Sequence, residues 1–85
     1  MKIILFGTGC DSCRQIAHNI ETAIAMVDHK ITFEKTSDLH QMLSYGIKST
    51  PSVVINDQII SVSEHLSLDD ILAFIDAIGS SEYRN

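Results

Sequence analysis

Cys10 and Cys13 are the residues of this chain whose type and spacing are best suited to covalent chemistry. A disulfide stabilises a fold most when it closes a long loop, and a bond between these two residues would close almost none. Stapling of the fold is therefore a poor explanation for the pair. Two close thiolates can instead exchange disulfides or bind a soft metal ion, and a third alternative is a pair of buried cysteines without chemistry.

The pair lies where a predicted strand gives way to a predicted helix. Residues 2–6 form an apolar run typical of a buried strand, Gly7-Thr8-Gly9 ends it, and apolar residues at helical spacing predict a helix over residues 11–28. Unpaired N–H groups and the macrodipole at a helix N-terminus lower the pKa of a cysteine from about 8.5. We therefore expect Cys10 to be an exposed nucleophile. Cys13 lies on the apolar helix face, so we expect it to be buried and to resolve a mixed disulfide on Cys10.

Three residues beside the cysteines are expected to adjust their reactivity. Asp11 and Ser12 separate the two cysteines, and Arg14 follows them. The Asp11 carboxylate should oppose formation of a thiolate on Cys10, whereas the Arg14 guanidinium should favour it if it reaches the site. The net expectation is a mildly depressed pKa at Cys10 and a reducing rather than strongly oxidising protein.

The only proline of the chain, Pro51, stands directly before a predicted buried strand at residues 52–56. A trans proline that opens a strand is the alternative favoured by frequency, since only about 5–6% of such bonds are cis. A cis Thr50–Pro51 bond would turn the chain sharply and leave the Thr50 backbone free to pair with an extended substrate. The residues alone leave both alternatives open.

The remaining pattern predicts an α/β fold with the element order β-α-β-α-β-β-α. The further elements are a strand over residues 31–36, a helix from its cap Asp38 to Gly46, a strand over residues 59–62, and a helix from its cap Ser67 to Gly79. The first βαβ unit should be parallel and right-handed, and the later hairpin, turning at Asn56-Asp57-Gln58, should add two strands antiparallel to it. The result is a four-stranded mixed sheet with helices on both faces. One domain is expected over residues 1–79, followed by a frayed tail at residues 80–85.

Two segments give the chain a family resemblance. They are Gly-x-Gly-Cys-x-x-Cys at residues 7–13 and Tyr-Gly-Ile-x-x-Thr-Pro-x-x-Val-Ile at residues 45–55. Together with the element order they resemble thioredoxin-like proteins, most closely the small redox-active disulfide or glutaredoxin-like group. The resemblance covers about residues 1–79, and it implies a thioredoxin-like fold and a thiol–disulfide oxidoreductase that forms a mixed disulfide.

The resemblance also implies roles for individual residues. It implies that Cys10 is the nucleophile, that Cys13 resolves, and that Pro51 is a cis-proline facing them. With the physical argument above, it leads us to expect that the Pro51 ring packs against the cysteine pair. Thr50 and Pro51 are then expected to bind the substrate.

The chain departs from the pattern of thioredoxins at three places. Thr8-Gly9 stands where thioredoxins have tryptophan before the first cysteine. Ile4 stands where they carry a buried acid, so that position offers no proton acceptor for Cys13. Near Val62-Ser63-Glu64 the family's glycine after the fourth strand is replaced, which would narrow the substrate groove.

Size and charge limit the expected partners. The 85 residues suffice for one domain, and a net charge of -5 with scattered basic residues argues against nucleic acid or an anionic membrane as the main partner. No segment approaches the roughly 20 apolar residues that span a bilayer. We expect a cytoplasmic protein that needs no cofactor and whose partners are a protein or small-molecule disulfide and an unidentified reductant.

Two alternative functions and a histidine metal site compete with this hypothesis. A soft-metal carrier is the strongest alternative, because two thiolates suit Cu(I). Small ferredoxin-like copper carriers, however, have the order β-α-β-β-α-β and end on a strand. A redox-switched binding module is the second alternative, since fold does not determine function. The histidines match no zinc motif and are expected to be solvated, except His65, whose loop should border the cysteines.

Overall fold

The computed structural model describes residues 1–7, 9–28, 30–61 and 65–83, and its elements follow the predicted order. The strands are β1 (Lys2–Phe6), β2 (Thr32–Thr36), β3 (Ser52–Ile55) and β4 (Gln58–Ser61). The helices are α1 (Asp11–Met26), α2 (Leu39–Ser44) and α3 (Leu68–Tyr83). The predicted boundaries agree within two residues except at the end of the last helix. The predicted last residue of the fourth strand, Val62, lies outside the described residues, as do Ser63 and Glu64.

The four strands form one mixed sheet in the order β2-β1-β3-β4. β1 is parallel to β2 and antiparallel to β3, and β3 is antiparallel to β4. The fold class and the parallel βαβ unit are therefore confirmed. The expectation that both hairpin strands run antiparallel to that unit is wrong, because the two strands of a hairpin must run in opposite directions. Only β3 is antiparallel to β1, and β4 runs parallel to it.

The two central strands, β1 and β3, are buried because helices cover both faces of the sheet. The face that packs against α1 and α3 carries alternate residues of these strands, namely Ile3, Leu5, Val53 and Ile55. The opposite face packs beside α2 and carries Ile4, Phe6 and Val54, together with Ile47 from the segment after that helix. This arrangement explains why neither strand alternates between apolar and polar residues.

Local hydrogen bonds account for most of the element boundaries. Asp38 caps α2 by accepting two backbone N–H groups of its first turn. The Ser67 hydroxyl accepts the Asp70 N–H at 3.1 Å, and the Asp70 carboxylate accepts the Ser67 N–H at 3.3 Å. At the hairpin turn, Asn56 and Asp57 have positive φ angles of 49° and 67°. These angles fit a type I′ turn, which asparagine and aspartate can form without glycine.

The last helix continues past Gly79 to Tyr83, so the prediction that Gly79 ends it is wrong. A glycine inside a helix costs only about 1 kcal/mol relative to alanine, which is too little to end a helix by itself. The backbone of residues 80–83, predicted as tail, is therefore helical, while residues 84 and 85 lie outside the described part of the chain. Among the described helices, none has the length and apolar composition needed to cross a membrane.

Tyr45 connects the end of α2 to the β3–β4 hairpin. Its ring lies 5.8 Å from the ring of Phe6, and its hydroxyl donates to Asp57 Oδ1 at 2.7 Å. The hydrogen bond to Asp57 raises the pKa of Tyr45 above 10.0, and desolvation and the negative charges of Asp57 and Glu34 raise it further. Each of these effects favours the neutral phenol, so folding opposes ionisation of Tyr45.

The raised pKa can be measured in Tyr83→Phe, a variant in which Tyr45 is the only tyrosine. We expect the folded protein to form tyrosinate, followed by ultraviolet absorbance, with a midpoint above pH 10.0. Because the folded-state pKa is the higher one, this stabilisation is complete below pH 10 and is lost as the pH rises through the folded value. Adding Asp57→Asn to this variant should lower the midpoint, because the main cause of the raised pKa is removed. A midpoint at or below pH 10.0 in Tyr83→Phe alone would contradict the raised pKa of Tyr45.

Candidate active site

Cys10 is the N-cap residue of α1, with extended backbone angles of φ −95° and ψ 160°. Its sulfur accepts the Cys13 N–H at 3.0 Å, and its carbonyl oxygen accepts the Arg14 N–H at 3.1 Å. The sulfur thus occupies the place of an N-cap oxygen, where a helix offers unpaired N–H groups. A thiolate at this position would be stabilised by a charge-assisted hydrogen bond and by the helix macrodipole.

The two sulfurs are joined and differ sharply in exposure. The Cys10–Cys13 disulfide has an S–S distance of 2.08 Å and a Cα–Cα distance of 5.1 Å. Cys10 is exposed, whereas Cys13 is only 3% exposed. The predicted exposure of the Cys10 residue and burial of the Cys13 residue are therefore confirmed. An incoming reagent can reach Cys10 directly, but it cannot reach Cys13 in the same way.

The charged neighbours of Cys10 pair with each other. The Arg14 guanidinium donates to the Asp11 carboxylate one helical turn before it, and both side chains are well exposed. Because the pair carries no net charge, its opposing effects on a Cys10 thiolate largely cancel. Ser12 lies half-buried between the two cysteines. Of the local influences, the helix N-terminus therefore remains the main one favouring a thiolate.

Gly7 allows three segments to meet beside the cysteines. Its φ is +114°, and a Cβ built there would lie 3.0 Å from Thr50 Cβ and 3.1 Å from Cys13 Sγ. A side chain at this position would therefore contact both groups more closely than ordinary packing allows. Gly9 also has a positive φ, of +92°, but a Cβ there would meet nothing within 4 Å. Gly7 therefore places Thr50 close to the buried sulfur.

The Thr50–Pro51 peptide bond is cis, and the segment leads directly into β3. Pro51 is buried and Thr50 is exposed. The Ser52 hydroxyl donates to the Ser49 carbonyl oxygen at 2.6 Å across the turn. Within the described residues the Thr50 backbone has no hydrogen-bond partner. The position of the Pro51 ring relative to the two sulfurs stays a prediction.

A groove of about 320 Å³ opens beside Cys13. It runs between α1 and the edge strand β2 of the sheet. Its lining includes Leu5 and Ala17, the charged or titratable side chains of Arg14, His18 and Glu21 on α1, and Lys35 on β2. The groove therefore connects a buried sulfur with ionisable groups at the surface.

The β1 residue that lines the groove is Leu5 and not Ile4. Side chains of a strand alternate between faces, and Ile4 packs on the other face of the sheet with Phe6. Ile4 therefore does not line this groove. Leu5 is equally unable to accept a proton, so β1 supplies no acid to this site.

The histidines are arranged differently from the expectation. His65, predicted to border the cysteines, lies in a separate cleft of about 190 Å³ with Gln15 and Asn19 of α1. His18, expected only to be solvated, is exposed and also lines the groove at Cys13. His18 stands four residues after Arg14, and this helical spacing is the sequence feature that places the two side chains on one face of α1. His29 lies outside the described residues, and among the described ones no three His, Cys, Asp or Glu side chains cluster as a metal site.

Comparison with known proteins agrees with this geometry. The sequence model of a family described as "Thioredoxin domain" matches residues 1–76 of the chain. A curated relative, a thioredoxin from Methanothermobacter thermautotrophicus, is 27% identical over 71 residues, which cover 84% of this chain and 92% of the relative. The family match includes both cysteines, the cis peptide bond and all four strands.

Proposed function

This chain belongs to the thioredoxin domain family, and we propose that it is an enzyme in which Cys10 attacks a disulfide and Cys13 resolves the product. The family and the Cys-x-x-Cys pair at bonding distance make it a thiol–disulfide oxidoreductase. The observation that carries the assignment of roles is the contrast between an exposed sulfur at a helix N-cap and a buried sulfur one turn later.

The proposed reaction has two exchanges. The Cys10 thiolate attacks one sulfur of a substrate disulfide, and the other substrate sulfur leaves with the electron pair of the broken bond. Cys13 then attacks Cys10, which closes the protein disulfide and releases the second substrate sulfur. Two electrons pass from the cysteine pair to the substrate, so no additional cofactor is required. A separate reductant must later return two electrons to the protein.

Thr50 and Pro51 are the residues that we propose to bind the substrate. Thr50 is exposed, has an unpaired backbone within the described residues, and lies close to Cys13 across Gly7. An extended substrate segment could pair with this backbone as an added strand. The partners would be a protein or small-molecule disulfide and a reductant that is still to be identified.

The proposed setting is the cytoplasm, where thiols are kept reduced. The net charge of -5 argues against nucleic acid and anionic membranes as partners. The element order does not favour the soft-metal carrier, since α2 separates β2 from β3, whereas small copper carriers have two consecutive strands at that point. A redox-switched binding module would not reduce substrate disulfides repeatedly, whereas an enzyme would, so a turnover assay distinguishes the two.

Turnover is tested with a protein disulfide and an excess of a dithiol reductant. We expect the initial rate of substrate reduction to rise in proportion to the concentration of this protein, with many disulfides reduced per molecule. The cysteine pair would cycle between its two states, so each molecule acts repeatedly. A binding module would leave the rate at the level given by the dithiol alone, whatever the concentration of this protein, and this result would contradict the enzyme assignment.

A further inference from the structure

Cys13 must lose a proton before it can act in the proposed function, because the thiolate and not the thiol is the nucleophile. The residue is 3% exposed, and burial in apolar surroundings disfavours the charged sulfur. The helix N-terminus assists Cys10 more than Cys13, since Cys13 itself donates its N–H to the Cys10 sulfur. The resolving step therefore needs a proton acceptor that reaches a buried thiol.

The groove of about 320 Å³ provides the route for that proton. One face of α1 lines this groove, because the lining residues of the helix are spaced three and four positions apart. They are Arg14, Ala17, His18 and Glu21. Cys13 stands four residues before Ala17, whose short side chain leaves space between the sulfur and the surface. The groove is wide enough to hold water, and Cys13 and His18 both line it.

The ionisable side chains that line the groove differ in whether they have an ion-pair partner. Arg14 pairs with Asp11, and a guanidinium is always protonated. Lys35 Nζ lies 3.5 Å from Glu21 Oε1, so the ammonium and carboxylate groups of the groove are also paired. The His18 ring has no ion-pair partner within the described residues, and a ring nitrogen of a neutral imidazole can accept a proton.

We propose that His18 accepts the proton of the Cys13 thiol through the water of this groove during the resolving step. The Cys13 sulfur then uses its electron pair to bond to Cys10 Sγ, and the bond between Cys10 and the substrate sulfur breaks. The substrate sulfur leaves with that electron pair and takes a proton from water. His18 is exposed, so it returns its own proton to solvent. This inference rests on the proposed function and concerns its second step only.

Reaction of the reduced protein with dithiodipyridine separates the two steps. The first thiopyridone is released when Cys10 attacks, and the second is released when Cys13 attacks the mixed disulfide on Cys10. In His18→Ala we expect the second release at neutral pH to slow by about tenfold or more, while the first changes by less than about twofold. His40→Ala is the matched control, since this exposed histidine lies on α2 and should affect neither release.

Two further readouts distinguish proton transfer from a structural effect of the substitution. The rate of the second release should depend less steeply on pH in the wild type than in His18→Ala, where the step must wait for the thiol itself to ionise. Imidazole added to the buffer should restore the second release in His18→Ala. If His18→Ala keeps the wild-type rate and pH profile of the second release, the role of His18 is overturned. If the wild-type protein fails to give the first release, the proposed function is overturned.

Discussion

Replacing Cys10 with serine is expected to lower disulfide reduction by about a thousandfold or more, to the uncatalysed background. A serine hydroxyl at the N-cap keeps an acceptor for the Cys13 N–H, so the helix start should persist. The hydroxyl is not ionised near neutral pH, however, and Cys13 is too buried to replace Cys10 as the attacking group. Initial rates with a protein disulfide and a dithiol measure the effect.

Cys13→Ser is the matched variant, because it also lacks the Cys10–Cys13 disulfide but keeps the exposed sulfur. It should keep the first attack on a disulfide but turn over more slowly, because its mixed disulfide on Cys10 can be cleaved only by the added dithiol. Any stability difference between the two variants can be measured by denaturant unfolding against the reduced wild type. Disulfide reduction by Cys10→Ser at a rate near that of the wild type would show that the attacking group lies elsewhere.

Gly7→Ala is expected to destabilise the reduced protein by about 2–4 kcal/mol and to slow disulfide exchange. The new methyl group would lie 3.0 Å from Thr50 Cβ and 3.1 Å from Cys13 Sγ, in addition to the strain of a φ of +114°. The neighbours are a buried sulfur and a β-branched side chain, neither of which can move away freely. The substitution should therefore displace Thr50, which we propose to bind the substrate, and Cys13, which we propose to resolve the mixed disulfide.

Gly9→Ala is the control for backbone strain alone. Its φ is +92°, but its added methyl group would meet nothing within 4 Å. We expect this variant to lose about 1–2 kcal/mol and to keep most of the second exchange rate. Urea unfolding and thiopyridone release compare the two variants under identical conditions. Equal losses in Gly7→Ala and Gly9→Ala would show that close packing at Gly7 does not matter.

Local patterns in the sequence predicted most of the fold and the central pair of the site. The apolar runs of β1 and β3 indicated strands covered on both faces, and the helical spacing of apolar residues placed Cys13 on the buried side of α1. These features depend on residues near in sequence, whose periodicity reports which side faces the core. The exposure of Cys10 and the burial of Cys13 follow from the same spacing.

Features that depend on contacts between distant segments could not be predicted in this way. The sequence did not show which residue of β1 lines the groove, because a shift of one residue along a strand changes the face; the groove is lined by Leu5, whereas Ile4 packs on the other face. The place of His18 in a groove required knowledge of how β2 lies beside α1. The continuation of α3 past Gly79 likewise required the structure, because one glycine has only a small effect on a helix.

The division of roles between the two sulfurs is tested most directly by the intact mass of the single-cysteine variants after mixing with a small disulfide. We predict that Cys13→Ser gains the mass of one half of the disulfide, held on Cys10, and keeps it until a reductant is added. Cys10→Ser should remain unmodified over the same time. Its only remaining thiol is Cys13, which is 3% exposed in the wild-type structure. Modification of Cys10→Ser as fast as Cys13→Ser, or of neither variant, would contradict these roles.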